Sequence, residues 1–212
     1  MLTRFDRDHL HRLAEKVRAY DLRQAVEEVT GGRAAPGVVE ALASRCAFDH
    51  AGTLLFPDHP GEVAEVLDRC GFEVLAPVPS VVVRKRLARR YGWAEDAVEV
   101  SIVTAWTGPP GDGHRGVEVF VLSRPAPDDT VAAIERRERN EDHLALRVTH
   151  PGEGGPAAVR ALLTEGLSLV PDGGGHNPLD RPGTGGRSVW YFTAPGAGRL
   201  EVTCAGHPAE IG

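Results

Sequence analysis

Two histidines and two glutamates recur in step along this chain. Asp49-His50 opens the apolar run Ala-Gly-Thr-Leu-Leu-Phe, and Asp142-His143 opens Leu-Ala-Leu-Arg-Val. Downstream, Glu118 sits in Val117-Glu118-Val119-Phe120, and Glu201 sits in Leu200-Glu201-Val202. His50 precedes Glu118 by 68 residues and His143 precedes Glu201 by 58. Imidazole titrates near neutrality, and imidazole and carboxylate are both groups that move protons or ligate divalent metals. If the apolar neighbours of each glutamate face the packed side of a sheet, the glutamate itself points to the other face.

The elements that must position these residues also come in duplicate. After each histidine-headed run stands the same tetrapeptide, His59-Pro60-Gly61-Glu62 and then His150-Pro151-Gly152-Glu153. A helical segment follows, ending at Gly71 or Gly166, and then a second strand-like run. Two further strand patterns close each copy, Val98 to Trp106 and Val117 to Ser123 in the first, Ser188 to Thr193 and Arg199 to Cys204 in the second. The unit is strand, helix, strand, strand, strand, and it occurs twice. The first copy is longer by roughly ten residues, which fall between its second and third strands. Asp128 to Asn140 reads as a charged connecting helix with a solvated face. Ahead of the repeat, a first helix is expected over about Asp6 to Thr30, ended by Gly31-Gly32, and a second from Pro36 to Ala47. The expected class is α+β, two tandem βαβββ modules forming a cupped mixed sheet preceded by two helices. The boundaries are 1–46 for the helical extension, 47–124 for the first module, 125–141 for the connecting helix and 142–212 for the second module.

This paired βαβββ arrangement, with its in-register histidines and glutamates, resembles the vicinal oxygen chelate superfamily, which includes glyoxalase I, bleomycin-resistance proteins and extradiol dioxygenases. The resemblance covers about Ala47 to His207. It implies a divalent metal held by the first and last strands of each module, and by position the implied ligands are His50, Glu118, His143 and Glu201. That donor set suits Fe2+, Ni2+, Mn2+, Co2+ or Zn2+, and the lack of cysteine among the four argues against a structural zinc site. The resemblance further implies an enzyme acting on a small substrate chelated through vicinal oxygens. Carboxylates at both last-strand positions favour redox-neutral isomerase, epimerase or lyase chemistry, with Glu118 or Glu201 as the base. One alternative is a non-haem Fe(II) oxygenase using His50, His143 and Glu201. Another is a metal-free drug-binding protein walled by Trp93, Trp106, Trp190, Tyr191 and Phe192.

Structural readings stand beside these. Glu118 and Glu201 could be charges that discourage edge pairing of strands. His59 and His150 read as turn residues. Arg147, four residues after His143, shares its face and could clamp an acidic substrate, and His176 is a second substrate-binding candidate. His207, just past the last strand, is expected like His176 near the cup, where either could act as an acid or base. The run Arg84 to Arg90 is either a lid or a solvated helix face, and the glycine clusters 173–175 and 183–186 read as mobile loops without a nucleotide-binding pattern.

Composition sets the outer limits. The 212 residues are 42% hydrophobic and 25% charged, which suits a globular chain of one or two small modules. With 24 basic and 30 acidic residues the net charge is −6, which disfavours a general nucleic-acid binder. No apolar run approaches the roughly 20 residues of a membrane span, and no signal-peptide pattern opens the chain, so the cytoplasm is the expected location. Cys46, Cys70 and Cys204 are expected as reduced thiols packing as small hydrophobes. The expected partner is a small molecule, and the sequence leaves open whether the modules of one chain suffice or a homodimer forms.

Overall fold

In a computed structural model, residues 2–108, 114–124, 129–150, 155–180, 185–194 and 198–205 are described. In chain order the elements are α1 (Arg4–Ala19), α2 (Leu22–Thr30), α3 (Pro36–Ala43), β1 (Cys46–Leu55), α4 (Gly61–Arg69), β2 (Glu73–Val74), β3 (Val78–Pro79) and α5 (Val81–Tyr91). They continue with β4 (Glu99–Trp106), β5 (Gly116–Arg124), α6 (Asp129–Glu138), β6 (His143–Val148), α7 (Gly155–Ala161), β7 (Val170–Asn177), β8 (Arg187–Thr193) and β9 (Arg199–Ala205). Among the described residues no helix is long and apolar enough to cross a membrane. The chain divides into two compact units, one of residues 1–19 and 50–142, the other of residues 20–49 and 143–212.

The extension holds three helices, where the periodicity predicts two. The first stretch breaks at Tyr20-Asp21, because Asp21 caps a new helix: its carboxylate accepts from the Gln24 amide N–H, and the Gln24 side chain accepts from the Asp21 N–H. Helix α1 falls in the first unit, and α2 and α3 fall in the second.

In the first unit β1 and β5 pair in parallel, with Gly52 opposite Glu118, while β4 pairs antiparallel with β5 and with the short β2 and β3. Pro77 and Pro79 lack the N–H a longer β2 or β3 would need. Both faces of this sheet are covered, which is why its strands read as nearly unbroken apolar runs. On one face α1 and α4 pack, bringing Leu10, Leu13, Val17, Val63 and Val66 into the interior. On the other, Leu54, Ile102, Phe120 and Leu122 form a core with Val83, Leu87 and Ala88 of α5 and Ala132 of α6. The extra residues of the first copy are therefore α5, placed between β3 and β4 as expected.

Basic α5 and charged α6 are solvated on one side only, where Lys85 and Arg89 of α5 and Arg137 and Glu138 of α6 are exposed. One side of α5 enters the core, and from it Arg90 donates to Glu135 (2.7 Å) and Glu141 (2.6 Å), both buried. Arg86 lies 3.5 Å from Glu141, and the Tyr91 hydroxyl donates to Glu135. From α6, Arg136 reaches the buried Asp6 of α1 through two hydrogen bonds of 3.0 and 2.9 Å. A helical charge run cannot reveal in advance that partners 45 or more residues away in sequence will bury it.

The second unit repeats the topology. β6 and β9 pair in parallel, with Ala145 opposite Glu201, and β9, β8 and β7 follow in antiparallel order. Helix α2 packs on β6 and β9, and α3 packs on the π turn Leu162–Gly166 that extends α7. Glycines 173–175 lie within strand β7, not in a loop. A Cβ at Gly174 would stand 2.3 Å from the Val189 carbonyl oxygen, so the close approach of β7 to β8 selects glycine there. Residues 151–154, 181–184 and 206–212, which include most of the second His-Pro-Gly-Glu, Gly183 and His207, are outside the described residues.

Two consequences can be measured. Arg90→Met leaves Glu135 and Glu141 buried without their main countercharge, and urea unfolding should register a loss of about 3 kcal/mol. His9, on α1, donates from Nε2 to the buried Thr53 Oγ1 at 3.1 Å, and Thr53 donates to Asp142 at 2.6 Å. Burial pushes the His9 imidazole down to about 4, Arg139 and Arg12 add to the effect, and Asp6 opposes it. A neutral native imidazole facing an unfolded chain that protonates near pH 6.5 means stability present above that pH and lost as pH falls toward 4. The loss should approach about 3 kcal/mol across that window and be absent from His9→Gln; parallel slopes for the two proteins would refute it.

Candidate metal centre

Strand pairing supplies each half of the candidate site. In the first unit the parallel register of β1 with β5 sets Gly52 opposite Glu118, so His50 and Glu118 share a face. His50 Nε2 lies 3.7 Å from Glu118 Oε2, and both side chains are fully buried. In the second unit the equivalent register sets Ala145 opposite Glu201, and His143 Nε2 lies 3.5 Å from Glu201 Oε2 with both side chains at 0% exposure. The sequence expectation that the glutamates point away from their valine and leucine neighbours holds in both copies. In the first copy, however, that face is itself packed by α5.

The pair distances carry chemical information. They exceed the roughly 2.7–2.9 Å of a charge-assisted hydrogen bond. Two ligands at about 2.1 Å from one ion, about 90–110° apart, stand about 3.0–3.4 Å from each other, close to the separations found here. A buried carboxylate beside an imidazole also places negative charge where a divalent cation offsets its desolvation. Each pair is thus a buried histidine–glutamate group that could hold a metal ion, and the donor types fit the metals expected from the sequence.

The remaining candidates fall in different places. Arg147 shares the His143 face, and its Nη1 lies 3.5 Å from Oδ1 of the buried Asp49. His176 alternates to the opposite face of the second sheet from Glu201, where Nδ1 meets Ser188 Oγ at 3.1 Å. His59 and His150 lie outside regular structure, as turn residues would, and His114 stacks on Trp106 with ring centroids 4.0 Å apart. Of the aromatic wall candidates, Trp93 packs on the first unit's core, stacked with Tyr91. Trp190 and Phe192 line a small apolar groove beneath α7.

Tyr191 has a larger place than sequence reasoning gave it. It stands directly across from Glu201 in the β8–β9 pairing, and its ring meets the His143 ring edge-on, with centroids 5.7 Å apart and an interplanar angle of 84°. The signal was present in the alternation of Ser188 to Thr193, which puts Val189 and Tyr191 on the glutamate's face and Trp190 and Phe192 on the other.

No protein-family model matches the sequence, and no curated protein matches it. Among solved structures, a glyoxalase superfamily protein from Ralstonia eutropha JMP134 is similar at a TM-score of 0.50 and 11% identity, over 95% of this chain and 84% of that one. A glyoxalase family protein from Bacillus cereus matches at a TM-score of 0.28 and 12% identity, over 74% of this chain and 93% of that one. One from Enterococcus faecalis matches at 0.23 and 17%, over 73% and 94%. In strand order, in the parallel pairing that closes each copy and in its likeness to the first of these structures, the chain has the fold of the glyoxalase superfamily.

Proposed function

We propose that His50, Glu118, His143 and Glu201 together hold one divalent metal, and that the protein is a metal-dependent enzyme acting on a small substrate with two adjacent oxygens. The observation that carries this reading is the duplication of a buried histidine–glutamate pair at the same strand positions, with separations of 3.7 and 3.5 Å. A charge repelling a neighbouring edge would sit exposed, whereas these carboxylates are buried on strands flanked on both sides.

When bound, the ion would supply Lewis-acid polarisation of a substrate carbonyl and orient the two oxygens. The chain's own residues would do the rest. Glu118 or Glu201 is the group that can take a proton from a carbon next to that carbonyl and return it elsewhere, which is isomerase, epimerase or lyase chemistry. Tyr191, edge-on to His143, fixes the orientation of that imidazole by packing. The redox-neutral reading is favoured over a three-ligand Fe(II) oxygenase because the two pairs are alike. Glu118 is as buried as Glu201 and about as close to its histidine, and four protein ligands leave an octahedral ion no position for dioxygen beside a bidentate substrate. The same two buried carboxylates favour a metal site over a metal-free binding protein.

Metal analysis of protein purified without a metal-binding tag tests this. The expected result is one equivalent of iron, nickel, manganese, cobalt or zinc per chain in the wild type, lost in the double variant His143→Ala, Glu201→Ala and strongly reduced in Glu118→Gln. Full metal content in Glu118→Gln, together with oxygen uptake in the presence of substrate, would transfer the reading to the oxygenase. A wild type that stays empty after anaerobic reconstitution would refute the metal centre.

A further inference from the structure

The three thiols differ in their surroundings. Cys46 is buried, and burial pushes its thiol up to about 12; burial also raises Cys204. Cys70, at the C-cap of α4, is only half-buried, and its Sγ lies 3.3 Å from Nδ1 of His11, an exposed residue of α1. Arg18, also on α1, donates to the Cys70 carbonyl and lies over the Phe72 ring, 4.6 Å from its centroid. A thiol, an imidazole and a guanidinium thus meet at the α1–α4 junction of the first unit, where Cys70 departs from the expected small-hydrophobe role.

We propose that Cys70 and His11 form a reactive thiol–imidazole pair, a modification site for low-molecular-weight disulfides. An imidazole nitrogen 3.3 Å from the sulfur is placed to take the thiol's proton as the sulfur attacks, and the half-buried position lets a reagent approach. In the reaction the Cys70 thiol passes its proton to His11 Nδ1, and the sulfur attacks one sulfur of the disulfide. The Cys70–S–S–R bond forms as the reagent's S–S bond breaks, and the departing R–S⁻ takes up the proton. Cys70 is oxidised to the disulfide level and the released half is reduced to a thiol. The adduct replaces the contact that joins α4 to α1, so it loosens the docking of α1.

The test treats native protein at neutral pH with dithiobis-nitrobenzoate, an aromatic disulfide whose released thiolate absorbs visible light. One thiolate per chain should appear in a fast phase, peptide mapping should place the adduct on Cys70, and Cys70→Ser should abolish that phase. His11→Ala should slow it about tenfold while leaving its amplitude unchanged. A variant that had lost its fold would instead expose Cys46 and Cys204 and release all three thiolates, in which case His11→Gln carries the comparison. A fast phase mapping to Cys204, or an unchanged rate at Cys70 without the imidazole, would overturn the proposal.

Discussion

Each copy of the repeat depends on the parallel pairing of its first strand with its last. That pairing carries a histidine and a glutamate, far apart in sequence, onto one face of one sheet, and the one-residue precision of strand register does the placing. A slip of one residue between β1 and β5 would turn Glu118 into the α1–α4 layer and Val119 toward His50. Register is held because both faces are buried. Val117, Val119 and Val121 cannot trade places with Glu118, Phe120 and Leu122 without emptying one layer and overfilling the other.

The helices outside the repeat fit this constraint. A sheet whose both faces are apolar needs cover on both, and a single crossover helix per copy is too little. The extension divides between the units: α1 joins α4 over one face of the first, and in the second α2 packs on β6 and β9 and α3 on the turn that extends α7. In the first unit α5 adds a further layer, and the cost of packing so basic a helix against a core is met by Glu135 and Glu141, which take up Arg86 and Arg90. The charges of α5 and α6 are thus part of how the first unit closes around Phe120.

Much of this was legible in the sequence, because a duplicated chain can be read against itself. The strand and helix order, the position of the extra segment and the pairs His50–Glu118 and His143–Glu201 all followed from matching one copy to the other. What escaped lacked a second copy. The break at Asp21 was written in Asp21-Leu-Arg-Gln24 as a capping box, but continuous apolar spacing on either side masked it. Glycines 173–175 looked like a loop because flexibility is the commonest reason for such a cluster, whereas here the close passage of the Val189 carbonyl requires Gly174 and a φ of 83° favours Gly173. The burial of Glu135 depends on Arg90 and Tyr91, 45 and 44 residues earlier, and no local pattern encodes that distance.

The two copies keep the same donors and differ in what surrounds them. In the first, residues beyond Glu118 on its face, Phe120 and Leu122 with Leu54 and Ile102, are committed to a dry core under α5. In the second, the face of His143 and Glu201 also carries Tyr191, Thr203 and Arg147, side chains able to form directed hydrogen bonds. Strand pairing places the donors alike in both copies, while α5 sets what the first copy's strands meet further along. The hydrogen-bonding side chains among these neighbours therefore stand on the second copy's donor face, whereas the first copy's histidine and glutamate lie buried in a layer closed by α5.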